Sequence, residues 1–181
     1  MNAKRMRHLF LTGEKQVGKS TLIRNFLTGE SIEAAGFVTL PFEVFGERKG
    51  YVMHSLRQMH PFENDSPVVI RTGERSHMAV VPVFETIGVK IIEESLSAPC
   101  SLVIMDELGK AEREAKDFRD AVTRCLNGAK PILGVLQKGD YPFYHEIAGR
   151  KDVQLLYITA ENRAEAGSLI RDWAISNGLL P

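Results

Sequence analysis

The stretch Gly13-Glu14-Lys15-Gln16-Val17-Gly18-Lys19-Ser20, followed by Thr21, decides how the rest of this sequence is interpreted. It fits the pattern G-x-x-x-x-G-K-[ST], in which a glycine-rich loop holds the phosphates of a nucleotide. The apolar run before it (residues 8–12) predicts a buried strand, and the hydrophobic spacing after it predicts a helix that Gly29 can stop. Strand, loop and helix thus occur in the order that such a loop requires.

Each position of the loop has a physical role in this prediction. Gly13 and Gly18 allow backbone conformations and close approaches that a Cβ would block. Successive N–H groups can then form a concavity for anions above the positive end of the helix. Lys19 is predicted to bind the β- and γ-phosphates, and Ser20 to give its hydroxyl to Mg²⁺. The other nucleotide contacts predicted in the loop are those of Glu14, Lys15, Gln16, Val17 and Thr21.

The bulk composition is that of an ordinary globular protein. The 181 residues are predicted to form one domain (residues 1–181), large enough for a sheet covered by helices on both faces. Lys plus Arg and Asp plus Glu number 23 each, which argues against nucleic acid as a partner. No apolar segment approaches the length of a membrane span, and the two cysteines lack redox or metal-binding spacing. We therefore expect a cytoplasmic monomer without membrane contact, and the sequence indicates no particular protein partner.

Strands alternate with helices along most of the chain, which predicts an α/β fold with helices on both faces of a mostly parallel sheet. This is the three-layer sandwich of P-loop NTPases. The middle third lacks helices between its apolar runs and predicts an antiparallel, β-rich extension over about residues 42–82. The predicted strands are 8–12, 36–40, 42–45, 51–56, 68–71, 79–81, 101–106, 131–136 and 153–158, and the helices 20–27, 84–96, 113–127, 144–148 and 163–176.

In such sheets ligands bind at the carboxyl ends of the strands, so the loops after Thr12, Met105, Leu136 and Ile158 matter most. One of these strands, Leu102-Val103-Ile104-Met105-Asp106-Glu107, ends in two acids. An aspartate at that strand end is where a P-loop NTPase needs its second contact to Mg²⁺, usually through water. Asp106 is therefore predicted to bind the metal.

Glu107 is predicted to polarise the attacking water, as in the P-loop division that carries an extra strand between the two motifs. The long separation of Lys19 and Asp106 leaves room for such an intervening strand. The alternative is that the two acids only cap the loop and the helix that follows it.

These motifs resemble those of a small nucleoside-triphosphatase family whose human member is called cancer-related nucleoside-triphosphatase. The resemblance spans nearly the whole chain and rests on residues 13–21, Ala35-Gly36-Phe37, Asp106-Glu107-Leu108-Gly109-Lys110-Ala111-Glu112 and Thr159-Ala160-Glu161-Asn162-Arg163. It implies a single α/β domain that hydrolyses nucleoside triphosphates to diphosphates with Mg²⁺, slowly and with tolerance of the base. Ala111 replaces a usual methionine, Arg113 and Glu114 replace a frequent Leu-Ser, and residues 47–78 align only loosely.

The last of these motifs follows the carboxyl end of a predicted strand, which favours contact of Asn162 and Arg163 with the base or ribose. Arg163 could stack on any base, and this would fit loose base selection. Otherwise Asn162 is the cap of the last helix. A cation for the transition state could come from Lys110, Arg113 or Arg163. Arg113 is the weakest candidate, because it falls on a predicted solvated helix face.

Together the motifs predict in-line attack of water on the γ-phosphate, with Lys19 and Glu107 as the catalytic side chains. Two alternatives stay open. A nucleotide-dependent switch or adaptor could use hydrolysis as a timer, although no Asn-Lys-x-Asp guanine motif is present. A kinase could instead pass the γ-phosphate to a small molecule or nucleoside held by the middle segment. The basic residues of that segment are Arg48, Lys49, Arg57, Arg71 and Arg75.

Overall fold

The structure is a computed structural model that describes residues 6–74 and 76–181, so that Arg75 of the basic middle segment lies outside it. The strands are β1 (His8–Thr12), β2 (Ala34–Val44), β3 (Glu47–Ser55), β4 (Ser66–Arg71), β5 (His77–Ala79), β6 (Leu102–Leu108), β7 (Ile132–Leu136) and β8 (Val153–Tyr157). The helices are α1 (Lys19–Gly29), α2 (Val81–Val83), α3 (Val89–Ser97), α4 (Lys116–Asn127), α5 (Pro142–Ala148) and α6 (Arg163–Ser176). A π-helical turn (Phe84–Gly88) joins α2 to α3, and a 3₁₀ helix (Ala111–Glu114) precedes α4.

All eight strands belong to one sheet, in the order β5-β4-β3-β2-β6-β7-β1-β8. The five strands from β2 to β8 in this order pair in parallel, whereas β3, β4 and β5 add to the free side of β2 in antiparallel fashion. This mixed α/β sheet confirms the predicted fold class, including the antiparallel extension in the middle third. Because all the parallel strands point the same way, their carboxyl ends meet at one edge.

Two hydrophobic clusters cover the two faces of the sheet, as alternation along buried strands requires. Leu9 and Leu11 of β1 face α1 and α6, where they join Ile23, Ile170 and other apolar side chains. Phe10, between them in sequence, belongs to the opposite cluster, which includes residues of α3, α4 and α5. The sheet is therefore the middle layer of three. Within the described residues, no helix has the length and apolarity needed to cross a membrane.

Element boundaries in the middle third differ from the sequence prediction. The predicted strands 36–40 and 42–45 are one strand, β2, which continues through Pro41. Beyond Val38, β2 pairs with β3 and no longer with β6, so the missing N–H of Pro41 is tolerated at this edge. The apolar run predicted as strand 79–81 is divided, because Ala79 ends β5 and Val81 begins α2.

The helix predicted at 113–127 is interrupted. Ala115 is buried with φ −87° and ψ 83°, which separates the 3₁₀ helix from α4. The helix predicted at 84–96 begins earlier, at Val81, since Pro82 is well suited to a first helical turn. Its π-helical turn ends at Gly88, where a Cβ would lie 2.8 Å from the Phe118 ring. These differences between the predicted and observed helix bounds arise from local packing, which cannot be predicted from the spacing of hydrophobic residues.

Candidate active site

The glycine-rich loop connects β1 to α1 at the carboxyl edge of the sheet. Gly13 has φ +130° and Gly18 has φ +94°, both in the region that favours glycine. A Cβ on Gly13 would collide with the carbonyl oxygen of Ile158, and a Cβ on Gly18 would lie 2.8 Å from Cζ of Arg163. Gly13 is therefore required both by its φ and by the backbone at the end of β8, whereas Gly18 is required by its φ, because the Arg163 side chain beside it can move.

Lys19 is the first residue of α1, and its side chain folds back over the loop. Its Nζ donates hydrogen bonds to the carbonyl oxygens of Gly13 (3.1 Å) and Glu14 (2.6 Å). Burial lowers the pKa of Lys19, while the carboxylates of Glu107 and Asp106 oppose that shift. An ammonium group held in this way can move to an incoming phosphate without leaving the cleft.

Ser20 and Asp106 meet beside this lysine. The Ser20 hydroxyl donates a hydrogen bond to Oδ1 of Asp106 at 3.0 Å. Asp106 is only 5% exposed, and burial raises the pKa of its carboxyl to about 6 although the Ser20 hydrogen bond opposes the shift. A buried carboxylate of this kind is stabilised by a cation.

These two oxygen donors fit Mg²⁺, which prefers oxygen ligands and usually keeps waters and substrate phosphates in its shell. Within residues 6–74 and 76–181, no three His, Cys, Asp or Glu side chains cluster as a metal-binding group. Ser20 and Asp106 would therefore need phosphate oxygens and water to complete the coordination of a metal.

Glu107 lies inside β6 and not beyond its end. The β6–β7 register shifts between Met105 and Leu108, and this irregularity contains the two acids. Burial raises the pKa of Glu107, with Lys19 and then Lys15 opposing the shift. Its N–H donates to the Thr39 hydroxyl at 3.3 Å, which ties the acid to the neighbouring strand β2.

A strand does lie between the two motifs in the sheet. It is β7, which separates β1 from β6. The expectation about its place in the chain was wrong, because β7 follows Asp106 in sequence. The long segment between Lys19 and Asp106 instead contains the rest of α1, strands β2–β5 and helices α2 and α3.

A cleft of about 860 Å³ joins the glycine-rich loop to the acids and to the antiparallel strands. Every residue of the loop except Val17 lines it, together with Asp106 and Glu107. The side chain of Val17 packs instead against the core beside α1 and α6, so this residue can offer a phosphate only its backbone. The remaining residues that line the cleft are Thr39, Tyr51, Val68, Val69, His77, Phe84, Gly109, Lys110, Ala111, Glu112, Gln137 and Lys138.

Several of these residues were not assigned from the sequence. Glu112 is 4% exposed; one carboxylate oxygen accepts the Gly109 N–H at 2.8 Å, and burial raises its pKa to about 7. The Gln137 amide oxygen accepts the Lys110 N–H at 3.2 Å, and the Lys138 ammonium contacts Glu14 at 3.1 Å. Gln137 and Lys138 directly follow the apolar run of β7, so their position at a strand end was the available signal.

The residues predicted to contact the base or to supply a cation lie in different places relative to the cleft. Lys110 lines the cleft, whereas exposed Arg113 forms an ion pair with Glu114 at 3.0 Å. Arg163 lies against Gly18 and is not among the residues that line the cleft. Asn162 is at the cap position of α6 but makes no side-chain hydrogen bond to the helix. It accepts the Thr159 N–H at 2.9 Å and donates to the Tyr157 carbonyl at 2.7 Å instead.

The fold and this loop together define an α/β protein of the P-loop NTPase class. The family model described as NTPase matches residues 8–170, and the chain belongs to that family, as its motifs predicted. It is thus a nucleoside-triphosphatase by family.

Similar proteins agree with this assignment. The nucleoside-triphosphatase THEP1 of Thermotoga sp. (strain RQ2) is 29% identical over 157 residues, covering 86% of this chain and 88% of the relative. The cancer-related nucleoside-triphosphatase homolog of Bos taurus is 29% identical over 176 residues, covering 87% and 90%. The solution structure of a human cancer-related nucleoside triphosphatase is 27% identical with a TM-score of 0.71, covering 92% of this chain and 96% of that one. The crystal structure of THEP1 from Aquifex aeolicus, at 24% identity and TM-score 0.69, supports the fold.

Proposed function

We propose that this protein hydrolyses nucleoside triphosphates to diphosphate and phosphate with Mg²⁺, slowly and with little preference for the base. The observation that carries the proposal is the convergence of Lys19, Ser20, Asp106 and Glu107 on one cleft. A phosphate loop alone would support nucleotide binding only. The buried carboxylate beside it adds a metal ligand, and the second acid adds a candidate base.

In this proposal, the triphosphate is bound and oriented by the loop with Lys19, by a metal and by a further lysine. The loop N–H groups at the start of α1 surround the phosphates, and Lys19 exchanges its loop carbonyl partners for β- and γ-phosphate oxygens. Ser20 and Asp106 would hold Mg²⁺, which supplies charge neutralisation when it is bound. Lys110 or Lys138 would supply a further positive charge near the γ-phosphate, since both line the cleft.

Glu107 takes the proton of the attacking water. Its pKa is raised by burial, which makes the carboxylate a better proton acceptor than an exposed glutamate. The hydrogen bond from its N–H to Thr39 fixes the strand that carries it. Burial of the two acids also strengthens each electrostatic contact that they make in the cleft.

Base tolerance is supported by the position of Arg163. Its guanidinium lies against the loop at Gly18, where it can stack on a base of any kind. The β8–α6 loop there uses the Asn162 side chain for its own hydrogen bonds. The proposed setting is a cytoplasmic monomer, supported by two free cysteines and balanced charge.

The experiment is phosphate release from ATP, GTP, CTP and UTP and from their diphosphates, with and without Mg²⁺. The proposal expects similar rates for the four triphosphates, no release from diphosphates and loss of activity on chelation. Lys19→Ala should abolish nucleotide binding, while Lys151→Ala, an exposed lysine away from the cleft, is the matched control. Hydrolysis by Lys19→Ala at the native rate would refute the site, and a strict preference for one base would refute the tolerance.

A further inference from the structure

The cleft is larger than hydrolysis requires. Its half away from the glycine-rich loop, here called the distal half, is walled by Thr39, Tyr51, Val68, Val69 and Phe84. An attacking water occupies roughly 30 Å³, and neither it nor a triphosphate gains from apolar walls. The whole cleft, at about 860 Å³, is of a size that holds a nucleotide together with a second small molecule.

The wall of the distal half is a continuous row that begins at Glu107. The Glu107 N–H donates to the Thr39 hydroxyl on β2. Thr39 pairs with Met53, two residues from Tyr51, and Tyr51 pairs with Val69, so Thr39, Tyr51 and Val69 lie on one face of three adjacent strands. Two strand spacings separate β2 from β4, so the row extends roughly 10 Å from the position of the acid. That length accommodates an aromatic ring with a short side arm.

The chemistry of the wall selects an uncharged aromatic or strongly apolar molecule. The half-buried side chains of Val69 and Tyr51 offer apolar and aromatic contact, and Val68 and Phe84, each 1% exposed, form the core layer behind them. The exposed His77 of β5 lines the outer end of the cleft. The hydroxyls of Thr39 and Tyr51 can hydrogen-bond a neutral polar group. Among the described residues of β2–β5 that line the cleft there is no lysine or arginine, so an anionic occupant would find no such partner on these strands.

We propose that the distal half binds an uncharged aromatic alcohol, with its hydroxyl beside Glu107 in the place of the attacking water. The proposal rests on the nucleotide site proposed above. The hydroxyl oxygen would form a bond to the γ-phosphorus, the bond from that phosphorus to the β–γ bridging oxygen would break, and the hydroxyl proton would pass to Glu107. The products are a phosphate monoester and a nucleoside diphosphate, and hydrolysis is the same reaction with water as acceptor. This is the kinase alternative with a defined acceptor class and site.

Binding is tested with benzyl alcohol as the probe and native protein labelled at its valine methyl groups. In NMR titrations, saturable shifts are expected at Val68 and Val69 and not at Val44, which is 42% exposed at the far end of β2. Val69→Trp should fill the distal half and remove the saturable shifts at Val68, whereas the matched Val44→Trp should keep them. If the native protein shows no saturable shifts, the proposal is overturned, whatever the variants show.

Transfer is tested at the benzyl alcohol concentration that saturates these shifts, with Mg²⁺ and ATP. Inorganic phosphate is expected to fall below ADP, with benzyl phosphate making up the difference. One phosphate per ADP would overturn the transfer step. Lys19→Ala separates the two proposals. If this variant loses nucleotide binding but keeps the benzyl alcohol shifts at the valine methyl groups, the two sites are separable. If it hydrolyses ATP at the native rate, the proposed nucleotide site is refuted, while the binding of benzyl alcohol is not.

Discussion

The loop after β6 and the loop after β8 both approach the glycine-rich loop, but their polar groups are paired in different ways. At the end of β6, Asp106 and Glu112 are buried carboxylates whose pKa values are raised to about 6 and about 7. Among the residues that the structure describes, neither accepts a hydrogen bond from a charged group, since their partners are the Ser20 hydroxyl and the Gly109 N–H. In the β8–α6 loop, the polar groups of Thr159 and Asn162 satisfy one another and the backbone.

In the proposed mechanism, this difference separates the groups that do chemistry from those that position the ligand. Buried acids without cations are unfavourable in the ligand-free protein, and a bound cation relieves that cost. A loop whose hydrogen bonds are already made gains nothing electrostatic from a ligand and serves as a rigid support. Substitutions at the end of β6 should therefore change turnover and pH dependence, whereas those in the β8–α6 loop should change affinity or stability.

The largest expected effect is that of Glu107→Gln on turnover. Glutamine keeps the shape of the side chain but cannot accept the proton, so kcat should fall by roughly 10²–10⁴. Nucleotide affinity should stay close to native, because Lys19 and the loop are unchanged. The measurement is steady-state phosphate release together with equilibrium binding of ATP. Exposed Glu114→Gln is the matched control, and native turnover in Glu107→Gln would eliminate this residue as the base.

The next effect concerns Glu112 and the stability of the ligand-free protein. The pKa of Glu112 is about 7 in the folded state, against 4.5 for an ordinary glutamate. Between pH 4.5 and pH 7, the folded protein therefore binds a proton at this residue that the unfolded protein has already lost. The free energy of unfolding therefore falls as pH rises from about 4.5 to about 7. Glu112→Gln can still accept the Gly109 N–H, and it should be more stable than native by about 3 kcal/mol at pH 8.

Urea unfolding at pH 4.5 and pH 8 checks this expectation, because the gain of Glu112→Gln should be small at the lower pH and full at the higher one. Glu114→Gln removes the same charge from a side chain that is 67% exposed, and it should show no such dependence on pH. A gain that is equal at both pH values would mean that burial of the Glu112 charge is not its cause.

Local patterns predicted the fold class and the placement of the key side chains. Two short sequence patterns carry this prediction. One is the loop with Gly13, Gly18 and Lys19, and the other is the apolar run before Asp106. Each pattern fixes the end of one strand and the loop that follows it. The parallel topology then requires these ends to share an edge. The positions of Lys19, Ser20, Asp106 and Glu107 in one cleft also require the strand order, which puts β7 alone between β1 and β6.

The rest of the cleft depends on long-range pairing. Tyr51 and Val69 reach the site because β3 and β4 extend the sheet beyond β2, and the patterns that predicted this antiparallel extension did not specify which of its side chains face the cleft. Glu112 is buried because the chain forms a 3₁₀ turn and then breaks at Ala115, whereas periodicity predicted a regular helix. Lys138 reaches Glu14 only because β7 lies between β1 and β6.

A smaller effect is expected for Arg163→Ala. Loss of a stacking guanidinium should weaken binding by roughly 1–2 kcal/mol, or about tenfold in KM, equally for ATP, GTP, CTP and UTP. Turnover at saturation should change little. Arg171→Ala, on the same helix and ion-paired with Glu30, is the matched control. A large loss of kcat with unchanged KM would instead make Arg163 the transition-state cation and would break the division between the two loops.

The smallest expected effect is that of Asn162→Ala, which removes the two side-chain hydrogen bonds of the β8–α6 loop. Each is worth roughly 1 kcal/mol, so the free energy of unfolding should fall by about 1–2 kcal/mol. Base preference should not change, because both side-chain polar atoms already have partners in the loop. Urea unfolding and KM values for the four triphosphates measure the two quantities, with exposed Asn25→Ala as control. Altered base preference at native stability would show that Asn162 contacts the base, and the β8–α6 loop would then recognise the ligand as well as support it.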